Sequence, residues 1–308
     1  MNTKTALLFF AILGMIASSL YGQAISKEQL TYYTQEWTGE RFPDGRPKVS
    51  DEILRRMKAV SLEEAWGILR NKGYNNQFEG NWEMIHDDVP VVGRALTAVY
   101  MPKRPEFEKR MLDKGHAEGR IGAANSWPID MLSKGDVYVA DGFGKIIDGT
   151  LIGDNLGNSI FTKSGNGVVF DAGVRDLAGL QKIEGFNAFV RGFDPSYLQE
   201  SMLMGVNVPI RIGRVTVFPG DVVLAKQEGI VFIPAHLAEE VLINAEFIAL
   251  RDAFAIEGLK AGKYTPGQID GRWSDAIKED FLKWLDKNPD QIPMTRKELD
   301  EFMKNRTW

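Results

Sequence analysis

The spacing of apolar positions changes three times along the chain, and each change marks a different kind of segment. Residues 1–22, MNTKTALLFFAILGMIASSLYG, carry one unbroken apolar run from Ala6 to Ala17 behind a single Lys4. Small and polar residues follow it, which is the layout of a secretory signal peptide. As a helix at ~1.5 Å per residue the run spans about 18 Å, short of the ~30 Å hydrocarbon core of a bilayer. Residues 23–60 are polar and contain the turn-rich stretch Arg41-Phe42-Pro43-Asp44-Gly45-Arg46-Pro47. This part is expected to wrap the core, with Arg41, Asp44 and Arg46 solvated. Ser61, with Glu64 three residues later, reads as a capped helix start.

Short β-branched runs separated by Gly, Asp and Pro begin near residue 91 and predict strands. They are 91–100, 135–142, 167–171, 208–212, 214–217, 221–224 and 229–234. Helices are expected between them near 154–165, 176–184 and 197–205. The middle of the chain is therefore mixed α/β. The two Gly-Asp-Val stretches, at 135 and 220, read as similar hairpin edges rather than a duplicated domain. After Pro234 the period becomes helical, with Leu237, Val241, Leu242, Ala245, Ile248, Ala249 and Leu259 near one face and Gly262 closing the helix. Residues 263–308 form a polar extension ending in a helix pair.

Composition narrows the chemistry. The chain has 308 residues, 37 Lys and Arg against 42 Asp and Glu, and no cysteine. Disulfides, thiolate metal sites and a cysteine nucleophile are excluded. The mildly acidic balance, without a basic block, argues against a nucleic-acid partner. His86, His116 and His236 lack metal-ligand spacing and read as surface or packed residues. Gly142-Phe143-Gly144-Lys145 has neither Walker nor dinucleotide-loop spacing and reads as a β-turn.

The informative stretch is Gly153-Asp154-Asn155-Leu156, followed by Val168-Val169-Phe170-Asp171-Ala172-Gly173-Val174-Arg175-Asp176. The first part opens a helix, whose free amides can hold a carboxylate or phosphate. The second ends a buried strand, where α/β sites tend to sit. Asp176 offers hard oxygen donors for Mg²⁺ or Mn²⁺, and Arg175 a guanidinium fork for an anionic oxygen. The structural alternative is an N-capping Asp176 with a salt-bridging Arg175.

These residues resemble the RraA-like family, which includes the class II 4-hydroxy-4-methyl-2-oxoglutarate aldolases. Asp154, twenty residues, then Arg175-Asp176 is its D-x20-R-D motif. Gly135-Asp136-Val137-Tyr138-Val139-Ala140-Asp141-Gly142 and Val215-Thr216-Val217-Phe218-Pro219-Gly220-Asp221-Val222-Val223 resemble two further segments. Lys226 stands where the family often has Asp. The resemblance implies a swivelling β/β/α domain over 61–262, helical extensions at 23–60 and 263–308, and a homotrimer or hexamer. It implies a divalent cation near Asp176, with Asp154 holding it through water and Asp252 contributed from a neighbouring subunit. It makes Arg175 the residue that steadies an enolate, with Gly153, Asn155 and Leu156 receiving a substrate carboxylate. The expected function is an exported lyase that releases pyruvate from a 4-hydroxy-2-oxo acid and possesses the chemistry to decarboxylate oxaloacetate. The alternatives are a non-catalytic regulator that binds a protein and a lyase of sugar-acid breakdown products.

Overall fold

The computed structural model describes residues 24–304; residues 1–22, expected to be a signal peptide, lie outside them. Three short helices come first: α1 (Lys27–Tyr33), α2 (Asp51–Met57) and α3 (Leu62–Asn71). The Ser61–Glu64 capping box forms as its spacing predicts. Next come β1 (Phe78–Glu79), β2 (Glu83–Met84), β3 (Val91–Pro102), α4 (Pro105–Ala117), α5 (Trp127–Asp130), β4 (Asp136–Lys145), α6 (Asp154–Ser164), β5 (Val168–Val174) and α7 (Leu177–Leu180). Strands then dominate: β6 (Ala188–Val190), β7 (Gly192–Phe193), β8 (Ser201–Val206), β9 (Ile210–Ile212), β10 (Val215–Val217), β11 (Val222–Lys226) and β12 (Gly229–Ile233). Helices α8 (Ala238–Lys260), α9 (Pro266–Ile269), α10 (Asp275–Lys287) and α11 (Arg296–Lys304) follow.

The main sheet runs β1-β12-β11-β3-β4-β5-β6-β2, with β7 beside β5 and β8 beside β3. Its centre, β3-β4-β5-β6, is parallel. Alternation along these strands separates two cores. Val91, Ala95, Val137, Val139 and Val169 face the small β9–β10 hairpin. The opposite face packs on helices: Leu96, Ala98, Tyr138 and Phe170 among α5, α6 and α7, and Val92, Val222 and Val231 among α2, α3 and α8. Sheet, hairpin layer and helices make the β/β/α arrangement.

Three expectations change. Residues 201–206 are not helical. They pair antiparallel with the far half of β3, from Ser201 opposite Pro102 to Val206 opposite Ala98. Met and Leu favour helix locally, but an unfilled strand edge decides the outcome. The 176–184 helix shortens to the single turn of α7. Neither Gly-Asp-Val stretch is an edge: β4 lies between β3 and β5, and β11 between β12 and β3. What the two share is a turn. Gly135 and Gly220 both have positive φ, and the following aspartate accepts the N–H three residues back, Asp136 from Ser133 and Asp221 from Phe218, each at 2.8 Å.

The loop at 41–47 is also not solvated. Arg46 is 1% exposed and donates from Nη1 to Asp136 Oδ2 at 3.0 Å, while its Nε donates to Asp44 at 2.8 Å. Arg41 donates to the carbonyls of Thr34, Trp37 and Gly45. Phe42 lies under the Arg46 and Arg94 guanidinium groups, 4.6 and 5.4 Å from their carbons. Desolvating Arg46 is tolerated because Asp136, itself fully buried, supplies the opposite charge.

Candidate functional site

The site residues converge where β5 leaves the sheet. The Leu151 N–H donates to the Gly173 carbonyl and the Arg175 N–H to the Ile152 carbonyl, each at 3.0 Å. These two bonds lay the 151–153 loop alongside the strand end. Asn125 Nδ2 donates to the Leu151 carbonyl at 2.8 Å and fixes the loop from its other side. The chain then enters α6, with Gly153 at the N-cap and no side chain capping it.

Asp176 occupies the N-cap position of α7, yet its side chain makes no capping hydrogen bond. Its backbone is left-handed, φ 57° and ψ 41°, an unfavourable region for a residue with a Cβ. The turn aims the carboxylate back across Gly153, where a Cβ would come within 2.1 Å of Oδ2. A Cβ there would displace the carboxylate from this position. Arg175 Nε lies 3.6 Å from the same oxygen, and both side chains are open to solvent, 41% and 46% exposed. The capping alternative for Asp176 therefore fails. The salt bridge to Arg175 named in that alternative does form. A residue in the left-handed region with a carboxylate that caps nothing, paired on an open surface with one arginine, is nonetheless a feature of a working site.

Asp154 meets the same turn from the other side. Its carboxylate would lie 2.6 Å from a Cβ at Gly179, so a second glycine lets α6 and α7 approach. Asp154 Oδ1 accepts the Asn155 N–H at 2.8 Å. That amide, expected to receive a substrate carboxylate, is already engaged. Leu156 stays in the first turn of α6, where N–H groups lack intrahelical partners.

Asp252 stands elsewhere in the chain. It lines a groove with Arg251 and the segment after α8, and none of the residues 153–156 or 175–176 belongs to that groove. Among the described residues, no group of three or more His, Asp or Glu side chains could enclose a metal ion. Of the three histidines, His116 lies on the surface against Trp127 and His236 on the surface against Tyr74. The donors at the shelf are hard carboxylate oxygens on an open surface. They suit an Mg²⁺-like ion that keeps much of its water, not a closed zinc-type site.

Asn125 and Gly179 were not identifiable from the sequence. Their roles arise from contacts with residues 26 and 25 positions away, and no spacing rule reports those.

Comparison with known proteins bears on the family and the fold. Residues 47–232 match the RraA-like family model described as Aldolase/RraA. A Halalkalibacterium halodurans protein, provisionally named a 4-hydroxy-4-methyl-2-oxoglutarate aldolase, is 32% identical over 114 residues, covering 37% of this chain and 53% of that protein. Protein DlpA of Legionella pneumophila is 31% identical over 163 residues, covering 53% of this chain and 24% of DlpA. The chain thus spans about half the length of the first relative and a quarter of the second. Among solved structures, Streptomyces coelicolor RraAS2, an unusual member of the RNase ES inhibitor RraA protein family, superposes with a TM-score of 0.59 at 24% identity, covering 68% of this chain and 99% of that one. An uncharacterized Pseudomonas syringae pv. tomato protein gives 0.59 at 22% identity, covering 72% and 98%. Likeness at that level shows the shared fold.

Proposed function

Because the chain belongs to the RraA-like Aldolase/RraA family, we propose that it is a divalent-cation-dependent lyase that cleaves a 4-hydroxy-2-oxo acid to pyruvate and a second carbonyl compound, and that it works outside the cytoplasm. The observation that carries this reading is the left-handed Asp176, whose carboxylate is spent on no cap and stands beside Arg175 over Gly153. A protein-binding regulator has no need of such a strained arrangement.

In this reading Asp176 would hold the cation directly and Asp154 through a water. The bound ion supplies Lewis-acid polarisation of the 2-oxo carbonyl. The substrate carboxylate seats at the start of α6, where the Leu156 amide and the positive end of an 11-residue helix favour it. Arg175 offers its fork to the oxygen that gains charge as the enolate forms. One Asp154 oxygen is held by the Asn155 amide, leaving the other to take the 4-hydroxyl proton through a water. The C3–C4 bond breaks, C4 becomes a carbonyl, and its electron pair becomes the pyruvate enolate. Protonation at C3 completes the cycle. Decarboxylation of oxaloacetate generates the same enolate and uses the same groups.

Pyruvate release from 4-hydroxy-4-methyl-2-oxoglutarate and from oxaloacetate, followed with a coupled dehydrogenase, tests the proposal. Chelation with EDTA abolishes activity and Mg²⁺ or Mn²⁺ restores it. Arg175→Ala lowers kcat by roughly 10²–10³, as for loss of a charge-stabilising donor. Full activity in EDTA or in the variant overturns the mechanism. Cell fractionation tests the location, with cytoplasmic retention of the full chain as the opposing result.

A further inference from the structure

The groove that holds Asp252 is built outside the family-matched residues 47–232. One wall is the second half of α8. The other is the segment from Pro266 to Trp273, which comprises α9 and most of its link to α10. Its volume is about 530 Å³, within the range of small-molecule sites.

Arg251 forms its centre. Its guanidinium carbon lies 4.2 Å from the centroid of the Trp273 ring, which holds the fork in place. Trp273 is itself buried. Among the described residues, the Arg251 Nε is shielded from water without a hydrogen-bond acceptor. Asp252 lies close enough to favour the Arg251 charge but does not accept from Nε. A stacked, partly desolvated arginine with an unused donor is a receptor for a carboxylate.

Two carboxylates, Asp252 and Asp270, also line the groove. They outnumber the single arginine, so a simple anion would meet net negative charge. A ligand carrying both charges would not. Its carboxylate pairs with Arg251 and its ammonium lies toward Asp252 and Asp270. The remaining wall is aliphatic, including Leu259 and Ile269.

We propose that this groove binds a free α-amino acid with an aliphatic side chain, separately from the lyase shelf. The proposal is independent of the lyase reading, since its test measures no turnover. Isothermal titration of the full chain with L-leucine gives saturable one-to-one binding. 4-Methylpentanoate lacks the ammonium and 3-methylbutylamine lacks the carboxylate; each binds at least tenfold more weakly. Arg251→Met keeps an aliphatic stem on Trp273 and loses at least tenfold in leucine affinity. Asp252→Asn does the same and serves if the arginine variant misfolds by circular dichroism. Absence of leucine binding overturns the proposal, as does unchanged affinity in a folded Arg251→Met or in Asp252→Asn. 4-Methylpentanoate binding as tightly as leucine also overturns it, and would mark a plain anion site.

Discussion

At the scale of single residues, the shelf depends on atoms that are missing. Gly153 has no Cβ, and the space that leaves is filled by the Asp176 carboxylate. Gly153→Ala puts a methyl within 2.1 Å of Oδ2 and forces the carboxylate away. The expected result is at least a tenfold loss of kcat, with the far-ultraviolet spectrum unchanged, because α6 accepts alanine at its N-cap at a cost of ~1 kcal/mol. Steady-state kinetics alongside circular dichroism checks it. Gly153, Asp154, Arg175 and Asp176 were legible in the sequence because their spacing is a property of one short loop and one strand end. The commitment of the Asn155 amide was not legible, since it depends on which way the Asp154 carboxylate turns once Gly179 is packed below it.

At the scale of elements, local pattern and tertiary demand agree over most of the sheet and part company at its margins. Strands β3, β4, β5, β11 and β12 are apolar on both faces, and their composition alone marks them. Helix α4 escaped notice because only Gly115 of its 13 residues is buried, leaving almost no apolar stripe. The strand β8 was read as helix because its partner, the far half of β3, is 99 residues away at the Ser201–Pro102 pair. The Gly-Asp turns that precede β4 and β11 carry a consequence for pH. Asp221 is fully enclosed, and burial pushes its carboxyl up to about 7, against the opposing hydrogen bonds from the Phe218 and Ala235 amides. An unfolded chain releases that proton near 4. Between these values the folded state holds one more proton, so the contribution of Asp221 is full below about 4 and is lost as pH rises through 7. Asp221→Asn cannot titrate. The stability of the parent relative to this variant should therefore increase from pH 8 to pH 5, by at most about 1.4 kcal/mol per pH unit. Urea unfolding of both proteins at four pH values measures the difference; parallel curves would dismiss the effect.

At the scale of the whole molecule, the N-terminal segment packs into the sheet domain's core and the C-terminal segment builds a second core on the far half of α8. The first is fastened by buried apolar residues such as Val49, Leu54 and Met57 and by charge pairs, of which Arg46–Asp136 is the most buried. Removing the guanidinium in Arg46→Met leaves the Asp136 carboxylate with only the more distant Arg94 as counter-charge, and its carboxyl is already pushed up by burial against the opposing charge of Arg46. Breaking a buried pair on one side costs about 3–5 kcal/mol, visible as a lowered urea midpoint. The second segment covers the far half of α8. That helix changes its buried face along its length: Val241, Leu242 and Ala245 pack with α2 and α3, whereas Phe247, Leu250, Phe254 and Ala255 pack with Trp273, Phe281 and Trp284. One apolar face was expected along the whole helix; instead Ala249 and Leu259 are exposed, because the C-terminal helices cover a different side. Tyr264 sits against Gly258, and its hydroxyl donates to Asp280, closing the same joint. A chain truncated after Gly262 would keep the shelf and the sheet but bare three large apolar side chains of α8. Each forfeits ~1.5–3 kcal/mol of burial. The truncated protein should therefore bind a hydrophobic dye and self-associate on size exclusion, while its Arg175–Asp176 geometry supports any residual turnover. A monodisperse, dye-negative truncation with full activity would show that the C-terminal helices are an appendage rather than part of the core.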